Sequence, residues 1–276
     1  MNKIIEKEHL NNNVVKLVID APRIAQKRKA GHFVIIKINK KGERIPLTIA
    51  DADPDKGTIT LIIQKVGVTS HKLSLMDAGD TLADVVGPLG HATEIENLGT
   101  VLCAGGGVGI APLLPIARAF KEAGNRVVSV LAARNKDLII LEDEMRDCSD
   151  EIIIMTDDGS YGTQGLVTHG MEKFLDAEKV NLAVTIGPAI MMKFASLTTK
   201  KYNVPTIASL NTIMVDGTGM CGACRVTVDG KTKFVCVDGP EFDAHKIDYD
   251  EMIMRLGAYE DQERVDYEKY LETAEK

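Results

Sequence analysis

Between residues 216 and 236 the chain reads Asp216-Gly-Thr-Gly-Met-Cys221-Gly-Ala-Cys224, with Cys236 following. As spacing this is D-x4-C-x2-C-x11-C. Plant-type [2Fe–2S] ligation uses C-x4-C-x2-C…C, so three positions match and Asp216 stands at the fourth. Two irons need four protein donors, on a loop whose backbone comes close to the sulfides. Gly217, Gly219 and Gly222 allow that approach because they carry no side chain. A carboxylate is a harder donor than a thiolate and shifts a reduction potential. Two other readings stay open for the segment. Three buried structural thiols are one. A zinc site of three thiolates and Asp216 is the other, although structural zinc usually has a second Cys-x-x-Cys or a His pair, and His245 does not complete such a pattern. The remaining thiols, Cys103 and Cys148, read as buried packing.

A second motif is Ala104-Gly105-Gly106-Gly107-Val108-Gly109-Ile110-Ala111-Pro112. It follows an apolar run that reads as a strand and opens one that reads as a helix, where a parallel sheet binds phosphate on free backbone N–H groups. The full G-x-G-x-x-G pattern is absent, so a plain tight strand-to-helix turn is the competing reading. Arg134, Asp157-Asp158-Gly159-Ser160 and Gly187-Pro188 follow the next three expected strands, at the carboxyl ends where ligands gather. Near the N-terminus, Arg44-Ile45-Pro46-Leu47-Thr48 sits at a strand entrance. An arginine there can grip a phosphate with two N–H groups and a threonine can bond a ring or a phosphate. An exposed arginine beside a turn is the alternative. Gly67-Val68-Thr69-Ser70 is a further small-residue turn, and His71 and His91 are isolated.

Three kinds of element must position these groups. Residues 1–96 hold short β-branched runs (14–19, 32–38, 58–63) separated by turn signals at 11–13, 41–42 and 53–57, which predicts a small β-barrel or sandwich. Residues 97–203 alternate strands (100–104, 126–133, 151–156, 182–186) with helices (111–123, 141–148, 166–177), which predicts an α/β domain on a parallel sheet. Residues 204–247 form a compact glycine-rich segment with three of the five cysteines. Residues 248–276 read as a charged helical tail, with Asp248 and Glu251 spaced as an N-terminal cap.

Composition limits the function classes. The 276 residues carry 33 Lys and Arg against 40 Asp and Glu, a net charge of −7, with 4% aromatics and no tryptophan. That is a poor nucleic-acid binder, lacking both a basic field and stacking platforms. Five cysteines fit a reducing compartment better than a disulfide scaffold. The uncharged run 97–117 is long enough for a bilayer, but its glycines and prolines cannot satisfy a lipid-exposed backbone. Met1 to Leu10 is charged and has no apolar signal core. The expected location is the cytoplasm, with no membrane partner.

The order of parts resembles the ferredoxin–NADP reductase superfamily over roughly residues 1–250: an R-x-P-x-T barrel, then G-G-G-x-G-x-x-P, then a C-terminal cysteine loop. Within it the chain resembles the electron-transfer subunits of dihydroorotate dehydrogenases. With aspartate rather than cysteine at 216, it is more similar to the small subunits of NADH-dependent ferredoxin:NADP+ oxidoreductases (the sulfide dehydrogenase beta subunit type). The resemblance implies FAD between barrel and α/β domain, with Arg44, Pro46, Leu47 and Thr48 in the flavin motif. Ile63, Gln64, Lys65, Thr69 and Ser70 would cradle its phosphates and ribityl chain. It implies a nicotinamide dinucleotide over Gly106, Gly107, Val108 and Gly109, with Arg134, Asp158 and Gly187 as lesser contacts. NAD(H) is the family expectation; the residues alone leave NADP(H) open. It also implies a [2Fe–2S] cluster on Asp216, Cys221, Cys224 and Cys236, and a larger flavin and iron–sulfur partner subunit that exchanges electrons with ferredoxin. Hydride would enter at the flavin and single electrons leave through the cluster, with no acid–base dyad or nucleophile of the protein required. Separately from the resemblance, the tail would either dock the partner through Tyr259, Val265, Tyr267, Tyr270 and Leu271 or lie as a solvated amphipathic helix. The alternatives are a dihydroorotate-linked electron-transfer subunit and a zinc-stabilised nucleotide-binding module without redox activity.

Overall fold

The computed structural model describes residues 2–274. Met1, Glu275 and Lys276, at the ends of the barrel and tail as read from sequence, lie outside the described residues. Seven antiparallel strands, β1 (Asn2–Asn11), β2 (Val14–Asp20), β3 (Phe33–Lys37), β4 (Arg44–Asp53), β5 (Thr58–Gln64), β6 (Thr81–Leu82) and β7 (Asp84–Leu89), curl in the order β6-β1-β2-β5-β4-β3-β7. Their inner face follows from period-two alternation. Val15, Leu17 and Ile19 of β2 lie opposite Ile63, Leu61 and Ile59 of β5, and all six are fully buried. β3 is a continuous apolar run because both its faces are covered. Val34 and Ile36 join the barrel core, while Phe33 and Ile35 join a second core with Cys224 and Cys236. A short α1 (Pro22–Ala25) closes one end, and α2 (Val68–Leu75) follows β5.

The second sheet runs β11 (Thr163–Gln164), β10 (Glu151–Thr156), β9 (Arg126–Ala133), β8 (Thr100–Gly106), β12 (Leu182–Ile186), β13 (Thr206–Ser209), β16 (Glu241–Asp243). All pairs are parallel except β13–β16. Helices α3 (Ile110–Glu122), α4 (Glu142–Asp147), α5 (Val167–Ala177) and α6 (Ala189–Lys201) connect the strands. The chain moves one way from β8 to β9 and the other way to β12, so the order reverses between β8 and β12. That reversal opens a crevice at their carboxyl ends. The uncharged run 97–117 forms β8, the glycine turn and the start of α3. Among the described residues no helix is long and apolar enough to cross a membrane.

The cysteine segment is woven into this sheet. β13 and β16 bracket it and extend the parallel sheet, while only the hairpin of β14 (Arg225–Val228) and β15 (Lys231–Phe234) stands apart. Its turn is Asp229-Gly230, both at positive φ (52° and 69°), the conformation that lets a two-residue loop match the strands' twist. α7 (Val235–Asp238) follows β15. α8 (Tyr249–Leu256) starts where the Asp248 carboxylate accepts the Glu251 N–H at 2.9 Å, the expected cap. α9 (Glu260–Ala274) ends the described chain.

The barrel packs against α3 of the α/β part. Val14, Ala50 and Ile62 of the barrel pack with Ala111 and Leu114 of α3. Beside them Arg118 of α3 bonds Asp51 of β4 at 3.0 Å.

Candidate functional site

The interface opens into a cavity of about 1480 Å³. One wall is the barrel: Ile45, Pro46, Leu47 and Thr48 of β4, Ile63 and Gln64 of β5, and Gly67 to Ser70 at the start of α2. The first N–H groups of a helix have no intrahelical partners and favour an anion, so α2 offers a phosphate its natural seat. Ser70 secures the turn into α2, its hydroxyl accepting the Val66 and Gly67 N–H groups at 3.0 Å each. Thr69 donates its hydroxyl to Glu43, also on the cavity wall. Nothing in the sequence marks Glu43 beyond its place before the R-I-P-L-T run.

The opposite wall is the β8–α3 turn: Gly106, Gly107, Val108 and Gly109, with Arg134 after β9 and Gly187 after β12. Each glycine answers a particular constraint. A Cβ at Gly109 would stand 2.5 Å from the Ile186 carbonyl oxygen and 2.8 Å from Gly187 Cα, so α3 starts in contact with the end of β12. Gly107 has φ +56°, a conformation costly for other residues. A Cβ at Gly106 would collide with the Met191 sulfur. Met191, Phe194 and Asn211 also line the cavity. They carried no signal in the sequence because each sits in an otherwise ordinary apolar or polar run.

Three expected contacts lie elsewhere. The Lys65 ammonium turns back to the Asn12 carbonyl at 3.0 Å and is absent from the cavity wall. Asp158 accepts the Ser160 N–H at 2.9 Å within its own turn, and its neighbour Asp157 lines the cavity instead. Arg44 reaches the cysteine loop, donating from Nε to the Val215 carbonyl at 3.0 Å and from Nη2 to that of Asp216 at 3.3 Å. In the tail, Tyr267 and Tyr270 are engaged within the chain. The Tyr267 hydroxyl pairs with His71 Nδ1 at 2.9 Å, and both rings pack edge-on against His71 of α2. Glu263 and Asp266 of α9 thereby reach the cavity rim.

The hairpin explains how the distant cysteines meet. Arg225 pairs with Phe234, so Cys224, just before β14, comes beside Cys236, just after β15. Their sulfurs are 3.2 Å apart, and the Cys236 N–H points to the Cys224 sulfur at 3.5 Å. Both are buried, whereas Cys221 is exposed on the loop. Burial, reinforced by the neighbouring thiol, pushes the Cys236 thiol up, so metal binding there must displace a proton. The Asp216 carboxylate accepts the Thr218 and Cys221 N–H groups at 2.8 and 2.9 Å. Those bonds, Thr218 foremost, hold it below the usual carboxylate range. Gly217, Gly219 and Gly222 all have positive φ, 68° to 83°. Among the described residues no three His, Cys, Asp or Glu side chains form a finished cage. Asp216 and Cys221 lie on the glycine-bent loop with Cys224 at its end, and the hairpin brings Cys236 to the same place; thiolates are the donors that iron–sulfur clusters use. Cys103 and Cys148 lie in the α/β core, where burial raises both thiols. His245 is engaged by Thr199 at 3.0 Å.

Family comparisons match these two sites. The oxidoreductase FAD-binding domain matches residues 2–93, and the iron–sulfur cluster binding domain of dihydroorotate dehydrogenase B matches residues 211–248. A Thermotoga maritima protein named dihydroorotate dehydrogenase B (NAD(+)), electron transfer subunit homolog, is 50% identical over 99% of this chain and 97% of its own. The electron transfer subunit of Streptococcus thermophilus dihydroorotate dehydrogenase B is 31% identical over 88% of this chain and 96% of its own. A chain from the structure of NADH-dependent reduced ferredoxin-NADP oxidoreductase, described in connection with flavin-based electron bifurcation, superposes with a TM-score of 0.93. It is 49% identical and covers 98% of both chains.

Proposed function

Since the chain belongs to the family of dihydroorotate dehydrogenase B electron transfer subunits and their homologues, we propose that it carries electrons between NAD(H) and a larger flavin and iron–sulfur subunit. The path would run through FAD in the cavity and a [2Fe–2S] cluster on Asp216, Cys221, Cys224 and Cys236. When bound, these groups supply the conversion between hydride transfer and single-electron transfer. The chain holds them in place. The first turn of α2 would take the flavin's pyrophosphate, and Pro46, Leu47 and Thr48 its ring. The β8–α3 turn would take the dinucleotide's phosphates on the N–H groups of Gly107 to Gly109. Arg134 and Gly187 would border that second ligand. The observation that carries the reading is that both walls belong to one continuous cavity, with Arg44 at the start of β4 bonded to the cysteine loop.

A larger partner of the ferredoxin:NADP+ oxidoreductase kind is favoured over a dihydroorotate-oxidising one by Asp216 in place of a fourth cysteine, with 49% identity to the ferredoxin-NADP oxidoreductase chain against 31% to the Streptococcus thermophilus subunit, while the 50% identical Thermotoga maritima relative is named only as a homolog. Ferredoxin would then be reached through the complex. Co-purification of a dihydroorotate-oxidising subunit reverses that choice.

The test is an anaerobic visible spectrum with metal analysis, before and after one equivalent of NADH and, separately, NADPH. The expected result is flavin bands and broad iron–sulfur absorbance, two irons per chain, bleached by NADH. Colourless protein with zinc and no iron overturns the redox reading. For the odd ligand, Asp216→Cys should keep the cluster and move both its potential and its spectrum. A variant unchanged in both removes Asp216 from the ligand set.

A further inference from the structure

The geometry points to Arg44 as a positioning residue for the iron–sulfur cluster: its guanidinium fixes the backbone at Val215 and Asp216 and thereby sets where the Asp216 carboxylate stands and what potential the cluster takes. This rests on the cluster assignment just given. Sequence resemblance put Arg44 on the flavin, yet its side chain leaves the cavity and donates to two successive carbonyls of the loop, at 3.0 and 3.3 Å. The next residue, Gly217, has φ +76° and lies so close to Ile35 of β3 that a Cβ would come within 2.6 Å of it. The loop is therefore pinned on the barrel from two sides, by a side-chain fork from β4 and by contact with β3. Thr218 and Cys221 in turn hold the Asp216 carboxylate. A planar fork suits paired carbonyls in a way an ammonium does not.

The charge acts as well as the geometry. Reducing a cluster adds a negative charge, and a nearby cation favours that state. Asp84 stands 3.8 Å from Arg44, and both side chains are partly exposed, 29% for Arg44 and 53% for Asp84, which screens but does not cancel the effect. Removing the cation should lower the potential.

The test uses the full chain with its cluster and flavin, titrated with dithionite and mediators and read by electron paramagnetic resonance, with iron and FAD assayed alongside. Arg44→Gln is expected to keep FAD and to shift the oxidised-to-reduced ratio about tenfold towards oxidised, about 59 mV lower for a one-electron couple. Loss of iron with FAD retained also supports the positioning role. Arg44→Lys should recover part of the potential while the resonance signature stays altered. Asp84→Asn, on an exposed side chain, should raise the potential and serves if Arg44→Gln does not fold. Iron, potential and signature all unchanged in Arg44→Gln, or in Asp84→Asn should that variant be needed, overturn the proposal. So does loss of FAD with an unchanged cluster, which returns Arg44 to the flavin. Wild-type chain without iron instead refutes the underlying cluster reading and is distinguishable from either.

Discussion

Glu241 offers a perturbation whose size can be worked out in advance. It lies on β16 where three parts meet. Thr93, in the segment joining barrel to α/β domain, donates its hydroxyl to Glu241 Oε1 at 2.6 Å, and Gly31 of the barrel packs against the same oxygen. Burial raises its carboxyl from 4.5 to about 7, the Thr93 bond opposing and Glu94 reinforcing the rise. In the unfolded chain the group ionises near its usual value. The stability that goes with a neutral Glu241 is therefore fully present below about pH 4.5 and is lost as pH rises through about 7. At roughly 1.4 kcal/mol per pH unit the full loss is about 3 kcal/mol, and between pH 5 and pH 8 it is about 2.5 kcal/mol. Glu241→Gln keeps the volume and an oxygen for Thr93 but cannot ionise. Urea unfolding followed by circular dichroism, on wild type and variant at both pH values, measures the effect as a difference of differences. The cost of repacking Gln then cancels. The variant should gain about 2–3 kcal/mol relative to wild type on going from pH 5 to pH 8. Parallel pH profiles, or a wild type that gains on the variant at pH 8, would refute the reasoning. The second result would mean that the charge-assisted Thr93 bond outweighs desolvation.

Three other outcomes follow from the geometry. Gly109→Ala pushes a methyl against the backbone of Ile186 and Gly187, and should cost roughly 1–3 kcal/mol and weaken NADH binding at least tenfold. Gly107→Ala, with open space but φ +56°, should cost only about 1 kcal/mol; equal NADH affinities and melting midpoints for the two would contradict this. Asn125, 3% exposed, ties the interdomain segment to the end of α3. Its side-chain oxygen accepts from Leu98 and Gly99 and its amide donates to Glu96 and Phe120. Asn125→Ala should cost roughly 2–4 kcal/mol in chemical unfolding because it leaves several backbone groups unpaired. Removing residues 260–276 uncovers His71 and should speed amide hydrogen exchange in residues 68–75 and loosen FAD; unaltered exchange there would show that the tail does not support α2.

The alternation of elements in the α/β part was legible because its buried parallel strands are continuous apolar runs and its helices end at glycines or charges. β1 was not, since only Ile4 among Asn2–Asn11 is buried and, apart from Ile5 and Leu10, the rest is charged or polar. α2 was hidden for a different reason: Val68, Leu73 and Leu75 fall on no single helical face, and polar residues fill the turns between them. Cys221, Cys224 and Cys236 stand out by their spacing, but the hairpin that joins the last two depends on the Arg225–Phe234 register, a non-local pairing. Arg44 shows the limit most clearly. Residue type and motif suggested a phosphate contact, and only the direction of the side chain shows that it grips the neighbouring loop.

The same fact bears on how the two sites keep their spacing. A 44-residue segment such as 204–247 is too short to bury an adequate core by itself. Cys224 and Cys236 sit on a core that the segment only partly owns: Phe33 and Ile35 from the barrel and Ala189 and Met192 of α6 complete what Ala208, Val226 and Val235 of the segment begin. The loop is thus placed by contact with both larger parts. β4 sets the remaining coordinate. Arg44 holds the loop, while Ile45 to Thr48 line the cavity, so four residues of strand, about 13 Å at 3.3 Å each, join the two sites. Residues 44–48 of β4 pair with β3 and residues 49–53 with β5, so the strand cannot lengthen or slide without breaking a ladder. A separation carried by a paired strand is insensitive to loop motion, which suits a chain whose task depends on the distance between two redox centres.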